Sequence, residues 1–62
     1  MAIENFIEHR DEQGNYLAVW WDPQEEMVIL QYNFSHLTLI PEQFSQVLDK
    51  LSEAREKLQS KT

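Results

Sequence analysis

The spacing of hydrophobic residues changes once along the chain, near Pro41. Before this residue, runs rich in β-branched and aromatic residues alternate with polar clusters, which is typical of antiparallel strands joined by turns. The polar clusters contain Gly14 and the pair Asp22-Pro23, residue types that favour tight turns. The runs therefore predict three to four strands, at about residues 3–10, 16–21, 27–32 and 37–40.

After Pro41 the hydrophobic residues recur at steps of three and four, the period of one helical face. Pro41 suits the first helical position, and the acid Glu42 and the late bases suit the helix dipole, so a helix is predicted over about residues 41–59. Ile40 precedes it without a side-chain acceptor, at a cost of roughly 1 kcal/mol unless another group caps the helix. The residues predicted to be buried against the sheet are Phe44, Val47, Leu48, Leu51 and Ala54.

These elements predict a single α+β domain over residues 1–62, an antiparallel meander followed by one long C-terminal amphipathic helix packed on the sheet. A turn centred on Pro23-Gln24 would place Val19 opposite Val28 and Leu17 opposite Leu30. A chain of this length removes only about 60% of its unfolded surface on folding. Because it has no cysteine to form a disulfide or a thiolate metal site, we expect oligomerisation to supply stability.

The two central strands are apolar on both faces, although one helix covers only one face. Alternation places Leu17, Val19, Trp21, Val28, Leu30 and Tyr32 on one face and Tyr16, Ala18, Trp20, Met27, Ile29 and Gln31 on the other. Aromatic residues and Met are enriched at interface cores, so we expect the second face to be a protein interface made by Trp20, Met27 and Ile29, with Tyr16 at its rim. The alternative is a larger core, with the first strand or the segment Ile3-Glu4-Asn5 folded over that face.

The charge balance makes nucleic acid and membranes poor partners. Eleven Asp+Glu against five Lys+Arg give a net charge of −6, which repels phosphate backbones and anionic lipid. No apolar run approaches the roughly 20 residues of a membrane span, and no basic segment followed by an apolar one opens the chain. We therefore expect a cytoplasmic protein.

No residue pattern indicates catalysis, a cofactor or a metal. His9 and His36 lie on different elements, without a second ligand at the spacing that zinc sites use. The loop acids are expected to be solvated, and the single Gly14 does not provide a phosphate-binding loop. We expect a non-enzymatic protein with no cofactor or metal, whose partner is a second copy or another protein.

The segment Leu37-Thr38-Leu39-Ile40-Pro41-Glu42-Gln43-Phe44 resembles the strand-to-helix junction of the transcriptional positive-coactivator family and its Whirly relatives. That resemblance implies a curved antiparallel sheet, a C-terminal helix that dimerises, and binding of single-stranded DNA. The sheet offers aromatic residues for stacking but only Arg10 as a cation. The favoured function is thus a small interaction or regulatory module, a homodimer through the second apolar face. In a homodimer two such sheets could stack face to face, or the helices could pack across a two-fold axis, since a helix of about 28 Å overhangs strands of about 20 Å. The alternatives are a single-stranded nucleic-acid binder, disfavoured by the charge, and an acidic inhibitor or decoy.

Overall fold

Four antiparallel strands in a single sheet, followed by one helix, make up the computed structural model, which describes residues 2–62. The strands are β1 (Glu4–Arg10), β2 (Tyr16–Asp22), β3 (Met27–Tyr32) and β4 (Ser35–Leu39), and the helix is α1 (Pro41–Gln59). The strand order β1-β2-β3-β4 is that of a meander, so the predicted α+β architecture is confirmed. No helix within residues 2–62 is long and apolar enough to cross a membrane.

The β2–β3 hairpin has a different register from the predicted one. Val19 lies opposite Leu30, not Val28, because the loop holds four residues and Asp22 pairs with Met27. The Asp22 carboxylate accepts hydrogen bonds from the amides of Gln24 (3.0 Å) and Glu25 (3.3 Å), and the loop ends on a left-handed residue. The predicted turn thus continues for two more residues. A shift of two residues preserves the facing of every side chain, so the predicted division into two faces still holds.

The β3–β4 connection is a two-residue hairpin loop, Asn33-Phe34, in which Asn33 has a φ of 54°. Asn33 fixes this loop to the start of β2. Its side-chain oxygen accepts a hydrogen bond from the Tyr16 backbone amide at 2.8 Å, and its backbone amide donates to the Tyr16 carbonyl at 2.8 Å. Phe34, at the tip, is completely exposed (103%). The loop is therefore held in place by polar contacts while its aromatic side chain contacts solvent.

A β-bulge interrupts the pairing of β1 with β2. Asn5 lies opposite Trp20 and Ile7 opposite Val19, which leaves Phe6 as the extra residue. Phe6 and Ile7 both line the same apolar groove beneath the helix. The bulge therefore turns two consecutive apolar side chains toward the helix side of the sheet, where regular alternation would turn only one.

Gln43 makes a side-chain hydrogen bond across the junction between β4 and α1. Ile40 makes no side-chain cap, as expected, but the Gln43 side-chain oxygen accepts the Ile40 amide at 3.2 Å, and the Phe44 amide donates to the Ile40 carbonyl at 3.0 Å. This is the half of a capping box that an N-cap residue without a polar side chain can still form. It fixes the angle at which the helix leaves the sheet.

Helix α1 covers less of the sheet than the sequence predicts. Phe44 and Val47 are half-buried, but Leu48 (53% exposed), Leu51 (56% exposed) and Ala54 are exposed, so their predicted burial within this chain is wrong. The helix contacts β3 and β4. Its 19 residues extend about 28 Å, and every residue from Leu48 to the end of the chain is exposed. Residues 48–59 of the helix, called the projecting half, are therefore exposed along their whole length, and only Leu48 and Leu51 of them still line a groove with the sheet.

The buried core of residues 2–62 is very small. Only Ala18, Val19 and Val28 are buried, and no large side chain is fully buried. The molecule measures 44 × 30 × 16 Å, which is flat and elongated. The sheet and helix therefore leave most of their apolar side chains in contact with solvent.

Candidate interaction surfaces

The predicted interface residues come together on the sheet face that points away from the helix, called the open face. Trp20 lies opposite Ile29 across β2 and β3, and Met27 follows on the same side of β3. All three are half-buried by their neighbours, and Ala18, which lies between Trp20 and Tyr16 on β2, is fully buried (0% exposed). β1 lies at the edge of the sheet rather than over this face, so no segment of residues 2–62 folds across it. These residues form an apolar strip along the two central strands.

Polar side chains surround that strip. The residues of the edge strands that share its face are Asn5, Glu8 and Arg10 on β1 and His36 and Thr38 on β4. An apolar centre with a polar border is the arrangement found at protein interfaces. The open face thus has an apolar centre, which includes Trp20 and Ile29, and a polar border on both edge strands.

Tyr16 ends the strip in a polar setting. Its hydroxyl donates to the Glu8 carboxylate at 2.9 Å, and the Arg10 guanidinium carbon lies 4.9 Å from the centre of its ring. The hydrogen bond to Glu8 raises the pKa of Tyr16 above its usual value of 10.0, since it stabilises the protonated phenol. Tyr16 is consequently held at the rim, where the sequence analysis places it.

A second apolar surface lies on the helix side of the sheet. Two adjoining grooves of about 500 and 420 Å³ run between α1 and the β1–β2 half of the sheet. They share the residues Ile7, Val19 and Phe44 and therefore form one continuous helix-side groove. Its other apolar residues are Phe6, Leu17, Trp21, Val28, Leu30, Pro41, Val47, Leu48 and Leu51. The groove exists because α1 packs toward β3 and β4 and leaves β1 and β2 uncovered.

The projecting half of the helix continues the apolar stripe beyond the groove. Leu51 and Leu58 are 56% and 61% exposed, and Ala54 between them is exposed as well. These positions are spaced by three and four residues, so they lie on one side of the helix. A helix that exposes such a stripe to water normally packs it against another surface.

Asp11 holds the loop between β1 and β2. Its carboxylate accepts hydrogen bonds from the Asn15 side chain (3.0 Å) and from the backbone amides of Asn15 (2.9 Å) and Gln13 (2.9 Å), and these bonds lower its pKa below 3.8. His9 and His36 lie on opposite edge strands and on opposite faces of the sheet, so they do not meet. Within residues 2–62 no group of three or more His, Cys, Asp or Glu is placed to hold a metal ion.

No protein-family model, curated protein or solved structure matches the chain.

The helix-side groove over β1 and β2 was missed by sequence reasoning. The hydrophobic stripe of α1 indicates a buried face but does not say whether this chain or another one covers it. The exposure of the second helix half agrees with the overhang expected from the sequence, since a helix of about 28 Å exceeds the span of about 20 Å of the short strands beneath it.

Proposed function

We propose that this protein is a small non-enzymatic interaction module that works as a homodimer. The observation that carries the proposal is the amount of surface that the folded chain exposes. A chain of 7.4 kDa in a compact monomeric fold exposes about 4,200 Å². This chain exposes 5343 Å², an excess of about 1,100 Å² over that expectation.

The excess is of the size that a stable dimer buries. A standard interface removes about 800 Å² from each partner, and obligate homodimers remove 1,000 Å² or more from each. Burying the excess in both copies would thus produce an interface of the obligate class. It would also remove from water the apolar side chains that the small core leaves exposed.

The radius of gyration supports the same proposal. Its value of 13.6 Å exceeds the roughly 10.6 Å of a compact domain of 62 residues. A compact protein of about 120 residues, close to two copies of this chain, has a radius of that size. Each chain would therefore span the whole length of a compact dimer, as happens when subunits exchange helices or lay them across each other.

The open face is the surface that such a dimer would present to another protein. The predicted interaction residues Tyr16, Trp20, Met27 and Ile29 lie there, and the three apolar ones are half-buried by their neighbours already. Tyr and Trp are the residues that most often dominate binding energy. A nucleic-acid role is less well supported, because residues 2–40, which include the sheet, carry seven Asp+Glu and one Arg. The cytoplasmic location expected from the sequence remains a prediction.

Sedimentation equilibrium of the purified protein tests the proposal. We expect twice the monomer mass at micromolar concentration and a melting temperature that rises with protein concentration, because association stabilises the folded chain by mass action. A monomer that persists at millimolar concentration, with a concentration-independent melting temperature, would refute it.

A further inference from the structure

We infer that the helix-side groove of each copy is filled by the projecting half of the α1 helix of a second copy, so that the two helices pack antiparallel between the two sheets. This inference rests on the proposed homodimer and identifies its interface. It assigns the interface to the helix side rather than to the open face that the sequence analysis favours.

The groove lies directly beside the chain's own helix. Helix α1 contacts β3 and β4, and the groove occupies the neighbouring position above β1 and β2. Leu48 and Leu51 line the groove from the helix side, and Ile7 and Leu17 line it from the sheet. A sheet face of four strands has room for two helices side by side, and the chain supplies only one. A second helix placed there would contact the first helix and the sheet together.

The apolar stripe of α1 is complementary to a second copy of itself. In an antiparallel pair related by a two-fold axis at Leu51, positions at equal distance before and after Leu51 lie opposite each other. This arrangement places Leu48 opposite the partner's Ala54 and Phe44 opposite the partner's Leu58. The exposed Leu58 would then enter the 500 Å³ part of the groove, which Phe44 and Trp21 line. Leu48 would thus meet a small side chain and Leu58 an open part of the groove, while the two Leu51 side chains would meet at the axis.

Positive and negative charges are separated along the chain. Residues 50–62 carry four of the five bases and two acids, a net charge of +2. The remaining residues, 1–49, carry nine acids and Arg10, a net charge of −8. An antiparallel arrangement brings the positive helix end of each copy over the negative part of the other. A second copy is therefore the partner whose charge the projecting helix half fits, despite the net charge of −6 on each chain.

Disulfide trapping tests this arrangement, because the chain has no cysteine of its own. The protein is prepared as three single variants, Leu51→Cys, Ile29→Cys and Gln46→Cys, and each is treated with a mild oxidant at a concentration at which the unmodified protein is dimeric. Leu51 lies on the proposed two-fold axis, Ile29 lies on the open face, and Gln46 is an exposed helix residue off the stripe. We expect nearly complete covalent dimer for Leu51→Cys and background levels for the other two, because a disulfide needs Cα atoms within about 7 Å.

A mixed experiment covers the case in which Leu51→Cys fails to fold, as judged by circular dichroism. Leu48→Cys and Ala54→Cys change exposed residues that the arrangement places opposite each other in different copies. Oxidation of the equimolar mixture should give several-fold more covalent dimer than either variant alone. Equal yields in the mixture and in the separate samples would overturn the antiparallel arrangement.

The outcomes separate this inference from the proposed function. Cross-linking of Ile29→Cys with none for Leu51→Cys would leave the homodimer standing and move its interface to the open face, which overturns the inference alone. Similar cross-linking of all three variants would indicate random collisions and would also overturn it. A monomeric unmodified protein would overturn both.

Discussion

Truncation of Leu51 to alanine distinguishes a helix stripe exposed to solvent from one covered by a second copy. Removing three carbons from a fully buried leucine costs about 2.4 kcal/mol at 0.8 kcal/mol per methylene. Leu51 is 56% exposed in the single chain, so Leu51→Ala should lower the stability of the subunit itself by only about 1 kcal/mol.

The remaining part of the roughly 2.4 kcal/mol should appear as a loss of dimer stability. If the second copy covers Leu51, each copy loses a further 1.3 kcal/mol or so, about 2.7 kcal/mol for the two, which weakens the dimer roughly 100-fold. Sedimentation equilibrium over a range of concentrations measures the dissociation constant, and thermal unfolding at two concentrations measures the stability. The matched control is Gln46→Ala, which truncates an exposed residue off the stripe and should change the dissociation constant less than threefold.

An unchanged dissociation constant in Leu51→Ala would refute the reasoning, since it would mean that Leu51 stays exposed in the assembly. A loss of 3 kcal/mol or more from the stability of a monomeric protein would refute it in another way. That result would mean that the helix is buried against its own sheet, as the sequence pattern alone predicts.

Val28, which is 6% exposed, should lose about 2 kcal/mol of unfolding free energy on replacement by alanine, measured by urea denaturation; a loss below 0.5 kcal/mol would contradict its place in the core. Gly14 has a φ of +87° and open space around it, so Gly14→Ala should destabilise by about 1 kcal/mol through backbone strain alone, and a neutral result would contradict that conformation. The lowered pKa of Asp11 contributes stability that is complete above pH 3.8, the unfolded value, and is lost as pH falls through the lower folded value. Acid titration of unfolding should therefore show a shallower loss of stability below pH 4 in Asp11→Asn than in the unmodified protein, and identical profiles would contradict this assignment. In Trp20→Phe the remaining tryptophan is Trp21, which lines the groove, so dimerisation should shield it from acrylamide. In Trp21→Phe the remaining tryptophan is Trp20 on the open face, which should stay accessible to acrylamide. The reverse pattern would move the interface to the open face.

Local chemistry explains which parts of the fold the sequence predicts well. The period change at Pro41, the turn residues around Gly14 and Asp22, and the alternation in β2 and β3 all act over a few residues, and the elements they predict are confirmed. The register of β2 against β3 is wrong by two residues because it depends on loop length, which Glu26 sets by adopting a φ of 55°. A left-handed Glu has no strong sequence signal, since Gly, Asn and Asp are the usual residues there.

The two interaction surfaces differ in how far the sequence can predict them, for a physical reason. Trp20, Met27 and Ile29 share a face because a strand alternates, and this holds whatever the rest of the chain does. The helix-side groove depends on the long-range position of α1, which contacts β3 and β4 and leaves β1 and β2 uncovered. A hydrophobic pattern specifies that a surface must be covered but not which chain covers it.

Because the core is small, we expect the folding of this protein to be coupled to its association. Only Ala18, Val19 and Val28 are buried within residues 2–62. The helix side leaves further large apolar side chains more than half exposed in the single chain, among them Phe6, Ile7, Leu48 and Leu51. A partner that covers this side contributes to the stability of the subunit as well as to binding. We propose the interface on the helix side because Phe6, Ile7, Leu48, Leu51 and Leu58 there are each more than half exposed, whereas Trp20, Met27 and Ile29 on the open face are already half-buried.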